Sequence, residues 1–285
     1  MIEDYKLLIN KKHFSQERSL YNLRDCKITN CDFSGDEDGE SPLKEARNIQ
    51  VFDSSFSLRY PLWHVIKFEL NNINFDSLSR APIWYAKNGI IKKTVISSIK
   101  CLRDCENIEV IDTQINSDEA IWKSKDIKLL DSIIVGDYQF LDSKDIIIKN
   151  SKLIGKYGLQ YMKNVFIENS ILDTKDAFWH CENVVVKNSK INGAYLAWYS
   201  KDLTLINCEI SGTQPFCYCD NLKLINCKMI DCDLSFEYSN VSAEVIGNIT
   251  SIKNPKSGVI KADSIEEIIM SDSIFESNIE IIQKI

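Results

Sequence analysis

The chain has 285 residues, 44% of them apolar and 26% charged, with a formal charge of −7 and a pI near 5.2. That composition is ordinary for a folded globular protein. The acidity argues against nucleic acid, which needs clustered Lys and Arg to release counterions, and no apolar run reaches the length of a membrane span.

The opening MIEDYKLLINKKHF carries acids ahead of any apolar run and has no leader-cleavage pattern. A cytoplasmic location is therefore expected, with the ten cysteines as thiols. No C-x-x-C pair occurs, so no metal and no cofactor is expected. Residues 1–22 lie outside the repeat described next and are expected to cap it.

From residue 23 to 248 one pattern recurs: an Asn or Asp anchor, alternating apolar residues, a second Asn or Asp five positions on, then a small polar residue. The anchors are Asp25, Asn48, Lys67, Asn88, Asn107, Asp126, Asp145, Asn164, Asn183, Asp202, Asn221 and Asn240. From Asn88 to Asn240 every step is 19 residues; two early steps are 23 and 21. Alternation such as Val184/Val186 and Leu203/Leu205 is a strand signal. A second extended stretch is expected around Phe178-Trp179-His180-Cys181. Short units that cannot bury an apolar face alone must stack. The expectation is an all-β, single-stranded right-handed parallel β-helix of about 12 rungs, one per anchor. The second Asn/Asp column (Asn150, Asn169, Asn188, Asn207) is expected to form a side-chain amide ladder.

The early rungs are the most charged. Glu40, Arg59 and Arg80 stand eight residues before successive anchors, and Lys44 and Arg103 take places that tryptophan holds elsewhere. With Glu45, Arg47, His64, Tyr85 and Asp104 they form the candidate binding cluster, since an Arg pair suits a carboxylate or phosphate. A salt-bridge network is the plainer reading.

All five tryptophans fall four positions before an anchor: Trp63, Trp84, Trp122, Trp179 and Trp198. If the strand continues backwards, positions two and four before the anchor point inward and the tryptophans are core. Position three then faces water, and in later rungs it reads Tyr161, His180, Tyr199 and Tyr218, a second candidate ridge. Cys208 and Cys227 share a column on adjacent rungs, at a spacing that a disulfide tolerates. Residues 249–285, where the pattern decays, are expected to hold one irregular last rung and a C-terminal cap.

The phrases GESPLKEARNI (39–49), YPLWH, APIWYAKN, FWHCEN and NPKSGVIKADSIEEII (254–269) resemble the DUF3737 family. That family carries no known function and is placed among pectin-lyase-like right-handed β-helices. The resemblance implies the fold and brings no catalytic residue with it. The polygalacturonase phrases NTD, GHG and RIK are absent. Two functions follow as expectations. The first is a non-catalytic rod that binds a glycan or a protein along one ridge. The alternative is a lyase or hydrolase of an acidic sugar at the Arg59/Arg80 rungs. The oligomeric state is not legible.

Overall fold

The computed structural model describes residues 6–36 and 39–284. The chain divides into two compact units, Met1–Ser143 and Lys144–Ile285. Each is a parallel β-solenoid, with no helix among the described residues. These residues make about 14 turns, against twelve anchors in the sequence.

In the first unit the turns begin earlier than expected. Leu7 pairs with Cys26 and Phe14 with Phe33, so residues 7–14 already form a turn in the 19-residue register. Residues 1–5 of the proposed cap lie outside the described residues. The longer step is real, because Arg24 pairs with Arg47, and the 19-residue register then resumes with Arg47 opposite Ile66. Inside this unit Phe14, Phe33, Phe56 and Phe75 stack at 4.9, 4.4 and 4.9 Å between ring centroids. Rings at these separations add to the apolar burial.

In the second unit the long strands Lys163–Glu168, Glu182–Lys187 and Lys201–Ile206 pair with Val165, Val184 and Leu203 in register. The second strand of each turn is not where the sequence placed it. It follows the second Asn, as in Ile171–Lys175 and Lys190–Asn192. The segment 249–285 holds more than one rung. Asn240 pairs with Ser257 and Ser257 with Asn278, while Asn248–Lys253 pairs with Ser264–Ile269.

The stretch around Phe178–Cys181 is a corner, not a strand. Asp176, Phe178 and His180 have φ of 56°, 61° and 54°, so left-handed residues alternate with ordinary ones. Both Asn/Asp columns are left-handed too, with Asn164 at 56° and Asn169 at 51°. Asn and Asp tolerate that region better than other side chains, which explains their recurrence. Their amides then bond from turn to turn: Asn183 Nδ2 donates to Asn164 Oδ1 at 2.9 Å, and Asn207 Nδ2 to Asn188 Oδ1 at 3.0 Å.

The small column two before the anchor has a specific task. The Met162 N–H donates to Cys181 Sγ at 3.4 Å, and Cys181 S–H donates to the Leu159 carbonyl at 2.9 Å. In the first unit Ser124 does the same between the Cys105 N–H (3.1 Å) and the Leu102 carbonyl (3.1 Å). Each hydroxyl or thiol closes two buried backbone groups where the sheet pairing stops, and an orphaned group there costs about 1–3 kcal/mol.

Candidate functional site

The left-handed corners decide where the aromatic side chains go. Strict alternation of faces requires extended backbone. In the corner the fifth position before the anchor points inward instead of the fourth: Leu159, Phe178, Ala197 and Phe216 are fully buried. The tryptophans are consequently half-buried, which corrects the expectation of a tryptophan core. Their indole N–H explains the column. Trp179 Nε1 donates to the Tyr195 carbonyl at 2.6 Å and Trp198 Nε1 to the Gln214 carbonyl at 2.9 Å, each sixteen residues ahead. Trp84 reaches Lys100 in the same way at 2.5 Å, and Gln160 substitutes its amide, reaching the Asp176 carbonyl at 2.8 Å.

The predicted charged cluster separates into smaller contacts. Arg59 lies 3.8 Å from Glu40 on the neighbouring turn, beside a cleft of about 210 Å³ lined by Gly35, Asp36, Ser57, Leu58 and Leu78. Arg80 is exposed. Glu45 accepts the Tyr21 hydroxyl at 3.0 Å. That bond, followed by burial, raises the tyrosine pKa. Arg47 is exposed opposite Arg24, and Lys44 is half-buried. Arg103 lies between Trp84 and Trp122, at 5.2 and 5.0 Å from their ring centroids, with Nε 3.8 Å from Asp104. Its guanidinium thus continues the indole stack by cation–π contact. His64 stacks on Tyr85 at 4.7 Å.

The second ridge, by contrast, is a single array. Tyr161, His180, Tyr199 and Tyr218 are exposed, each one turn above the last. Ring centroids are 5.0, 5.0 and 4.7 Å apart, and interplanar angles are 10°, 6° and 8°. Each ridge residue has a left-handed φ of 54–60°. Each N–H is tied to a carbonyl of the next turn: Tyr161 to Trp179 (2.8 Å), His180 to Trp198 (2.9 Å) and Tyr199 to Cys217 (3.1 Å).

The array gains a residue that the periodic reading missed. Tyr218 donates its N–H to Glu237, and its ring meets Tyr238 at 5.6 Å and 45°. The corner there is one residue longer, so Tyr238 holds the ridge place that strict 19-residue counting assigned to Glu237. The pairing of Phe216 with Phe236, twenty residues on, is the same shift seen from inside. Beyond it Tyr238 meets Phe275 edge-on at 5.3 Å. Glu237 pairs with Lys253 at 3.0 Å, and Lys253 with Asp272 at 3.2 Å. Burial, then Glu237 and Tyr199, push the Tyr218 pKa up.

The cysteines are core. Burial pushes Cys105 and Cys181 up to about 12, which makes them unreactive at neutral pH. Cys208 and Cys227 are buried free thiols. Among the described residues no group of three or more His, Cys, Asp or Glu is placed to hold a metal, and no helix is long and apolar enough to cross a membrane.

Among solved structures the chain is similar to PfbA, a surface adhesin of Streptococcus pneumoniae, at 10% identity and a TM-score of 0.38 over 97% of this chain and 80% of that one. It is similar to HetL, a pentapeptide repeat protein of Nostoc sp. strain PCC 7120, at 11% identity and 0.29 over 78% and 91%. It is also similar to the A-module of the Azotobacter vinelandii mannuronan C-5 epimerase AlgE4, at 9% and 0.25 over 96% and 85%. These likenesses concern the fold alone. No curated protein matches the chain. The model of the family described as "Protein of unknown function (DUF3737)" matches residues 7–282, and the chain belongs to that family.

Proposed function

We propose that this protein is a non-catalytic binding protein that holds a glycan or protein partner along the Tyr161–His180–Tyr199–Tyr218 ridge. The observation that carries this reading is the unbroken array of exposed rings, fixed by backbone hydrogen bonds before any partner arrives. A surface already in its bound shape loses little entropy on binding. Tyrosine offers a large amphipathic contact with few rotamers to freeze.

The enzyme reading draws on the Arg59 cleft. There Asp36 lines the cleft and Glu40 is engaged with Arg59 itself, and Arg103 is committed to the indole stack. The test compares two double variants, Tyr199→Ala/Tyr218→Ala and Arg59→Ala/Arg80→Ala. Capture of glycans on an array and of cross-linked protein is measured alongside release of unsaturated uronides with and without Ca²⁺. The expected result is capture lost in the tyrosine variant and kept in the arginine variant, with no uronide from either. Uronide release by the native protein that disappears in the arginine variant sinks the binding reading in favour of the enzyme.

A further inference from the structure

The ridge geometry, taken with the binding reading above on which this rests, narrows the chemistry of the partner. Stacked rings about 5 Å apart cover one another's faces. A sugar therefore cannot lie flat on His180 or Tyr199, whose two faces are both covered. What the ridge offers is its rim: three phenol oxygens and the imidazole nitrogens. Among the described residues no protein hydrogen bond uses the Tyr161, Tyr199 or Tyr218 hydroxyls, whereas the Tyr21 hydroxyl is spent on Glu45. Each free phenol both donates and accepts, as does a sugar hydroxyl.

Charge selects further. The column beside the ridge alternates in sign: Lys163 and Glu182 form an ion pair at 3.0 Å, and Lys201 stands opposite Asp220 on the next turn. At the ridge end Glu237 is closed by Lys253 at 3.0 Å. An acidic polymer meets no net positive field here, and a basic one no net negative field.

Spacing selects last. The rim groups repeat every 4.7–5.0 Å, close to the length one glycosyl unit covers in an extended chain. Side chains on one face of a bound peptide strand repeat every ~6.7 Å and fall out of step after a single turn.

We infer that the ridge binds a neutral, extended polysaccharide edge-on, one glycosyl unit per turn, by hydrogen bonds from the Tyr161, Tyr199 and Tyr218 hydroxyls and His180. Isothermal titration with cellohexaose, xylohexaose and polygalacturonate tests this against Tyr199→Phe/Tyr218→Phe, which removes two hydroxyls and keeps the stack. Thermal melting confirms that the variant is folded. The expected result is binding of a neutral oligosaccharide, tighter with chain length until the four rings are spanned, and weakened roughly 25-fold in the Phe variant, about fivefold per neutral hydrogen bond.

Unchanged affinity in the Phe variant overturns edge-on binding. Binding of polygalacturonate alone overturns the neutral assignment. If no glycan binds and a cross-linked protein is captured, with capture abolished by Tyr199→Ala/Tyr218→Ala, the polysaccharide is overturned and the ridge remains the binding surface. If glycan binding survives even the Ala variant, the ridge reading fails as well.

Discussion

The two units fill the same corner position differently. In the second, the residue three before each anchor is Tyr161, His180, Tyr199, Tyr218, a continuous ring stack. In the first, the stack stops after His64 and Tyr85 and gives way to Asp104, Lys123 and Asp142. The backbone does not cause this, because all of these residues share the left-handed conformation, and His64, Tyr85, Asp104 and Lys123 make the same N–H bond to the next turn as the ridge residues. A β-solenoid corner is a set of equivalent sockets, and the sequence alone decides whether neighbouring sockets cooperate. The layer next to it shows the reverse choice: the first unit runs Trp63, Trp84, Arg103, Trp122 as one stack, whereas the second has the Trp179–Trp198 pair at 5.4 Å.

The largest effect comes from removing what supports the ridge from inside. Phe178 is fully buried one turn-corner below it, and Phe178→Ala is expected to cost about 3–5 kcal/mol in urea unfolding. The corresponding first-unit change, Leu62→Ala, should cost about 2–5 kcal/mol. A Phe178→Ala loss below about 1 kcal/mol would mean that the corner does not pack as described.

Next in size is the thiol seam. Cys181→Val strands the Met162 N–H and the Leu159 carbonyl and is expected to cost about 1–3 kcal/mol, whereas Cys181→Ser keeps both bonds and most of the stability. Equal losses in the two variants would show that volume and not bonding sets this column.

The comparison can also be built rather than broken. Asp104→Tyr with Lys123→Tyr lengthens the His64–Tyr85 stack to four rings. It should give the first unit capture of whatever the native ridge binds, checked by titration in a Tyr199→Ala/Tyr218→Ala background. No gain would mean that rings in register are not sufficient.

The smallest effect is on pH dependence at the ridge end. The Asn254 amide, then Lys253, hold Asp272 below its usual range, and Glu237, then Asp272, hold Lys253 above its own. The lowered aspartate stabilises the fold above its unfolded pKa of about 4, and that help is lost as pH falls through its folded value. The raised lysine contributes below about 10.4, and its help is lost as pH rises through its folded value. Hydrogen exchange at Asn254, whose N–H bonds Ile269 at 2.9 Å, should be slowest relative to the global rate between those limits and should quicken in acid. A flat profile would show that the Lys253 network is ornamental.

The strands were legible because period-two apolar residues such as Val184 and Val186 leave no other arrangement. The amide ladder was legible from its Asn column, although its partner ladder at the anchors was not. The corners were not, because alternating left-handed residues such as Asp176, Phe178 and His180 have no composition rule except tolerance, and Phe or His gives no hint of φ. That hid the true second strand and turned the tryptophans sideways. Tyr238 was missed for a simpler reason: one extra residue defeats fixed-interval counting, and only the ring contacts restore the alignment. Of the charged early rungs, the sequence grouped Glu40 with Arg59 but could not tell that the two pair, nor that Arg103 lies between two indoles.

The asparagine columns also bear on how the molecule ages. Several are followed by small residues, as in Asn88-Gly89, Asn150-Ser151, Asn169-Ser170 and Asn188-Ser189. In a loose chain such steps deamidate, because the following backbone nitrogen attacks the side-chain carbonyl carbon. At two of these steps that nitrogen is occupied: the Ser151 N–H is held by Ser170 Oγ at 3.1 Å and the Ser170 N–H by Ser189 Oγ at 3.0 Å. The coil is thus its own preservative. Each excursion to the unfolded state exposes a row of labile amides, and any conversion there introduces charge into a ladder that needs donors, so damage accumulates in molecules that open and makes their refolding progressively harder.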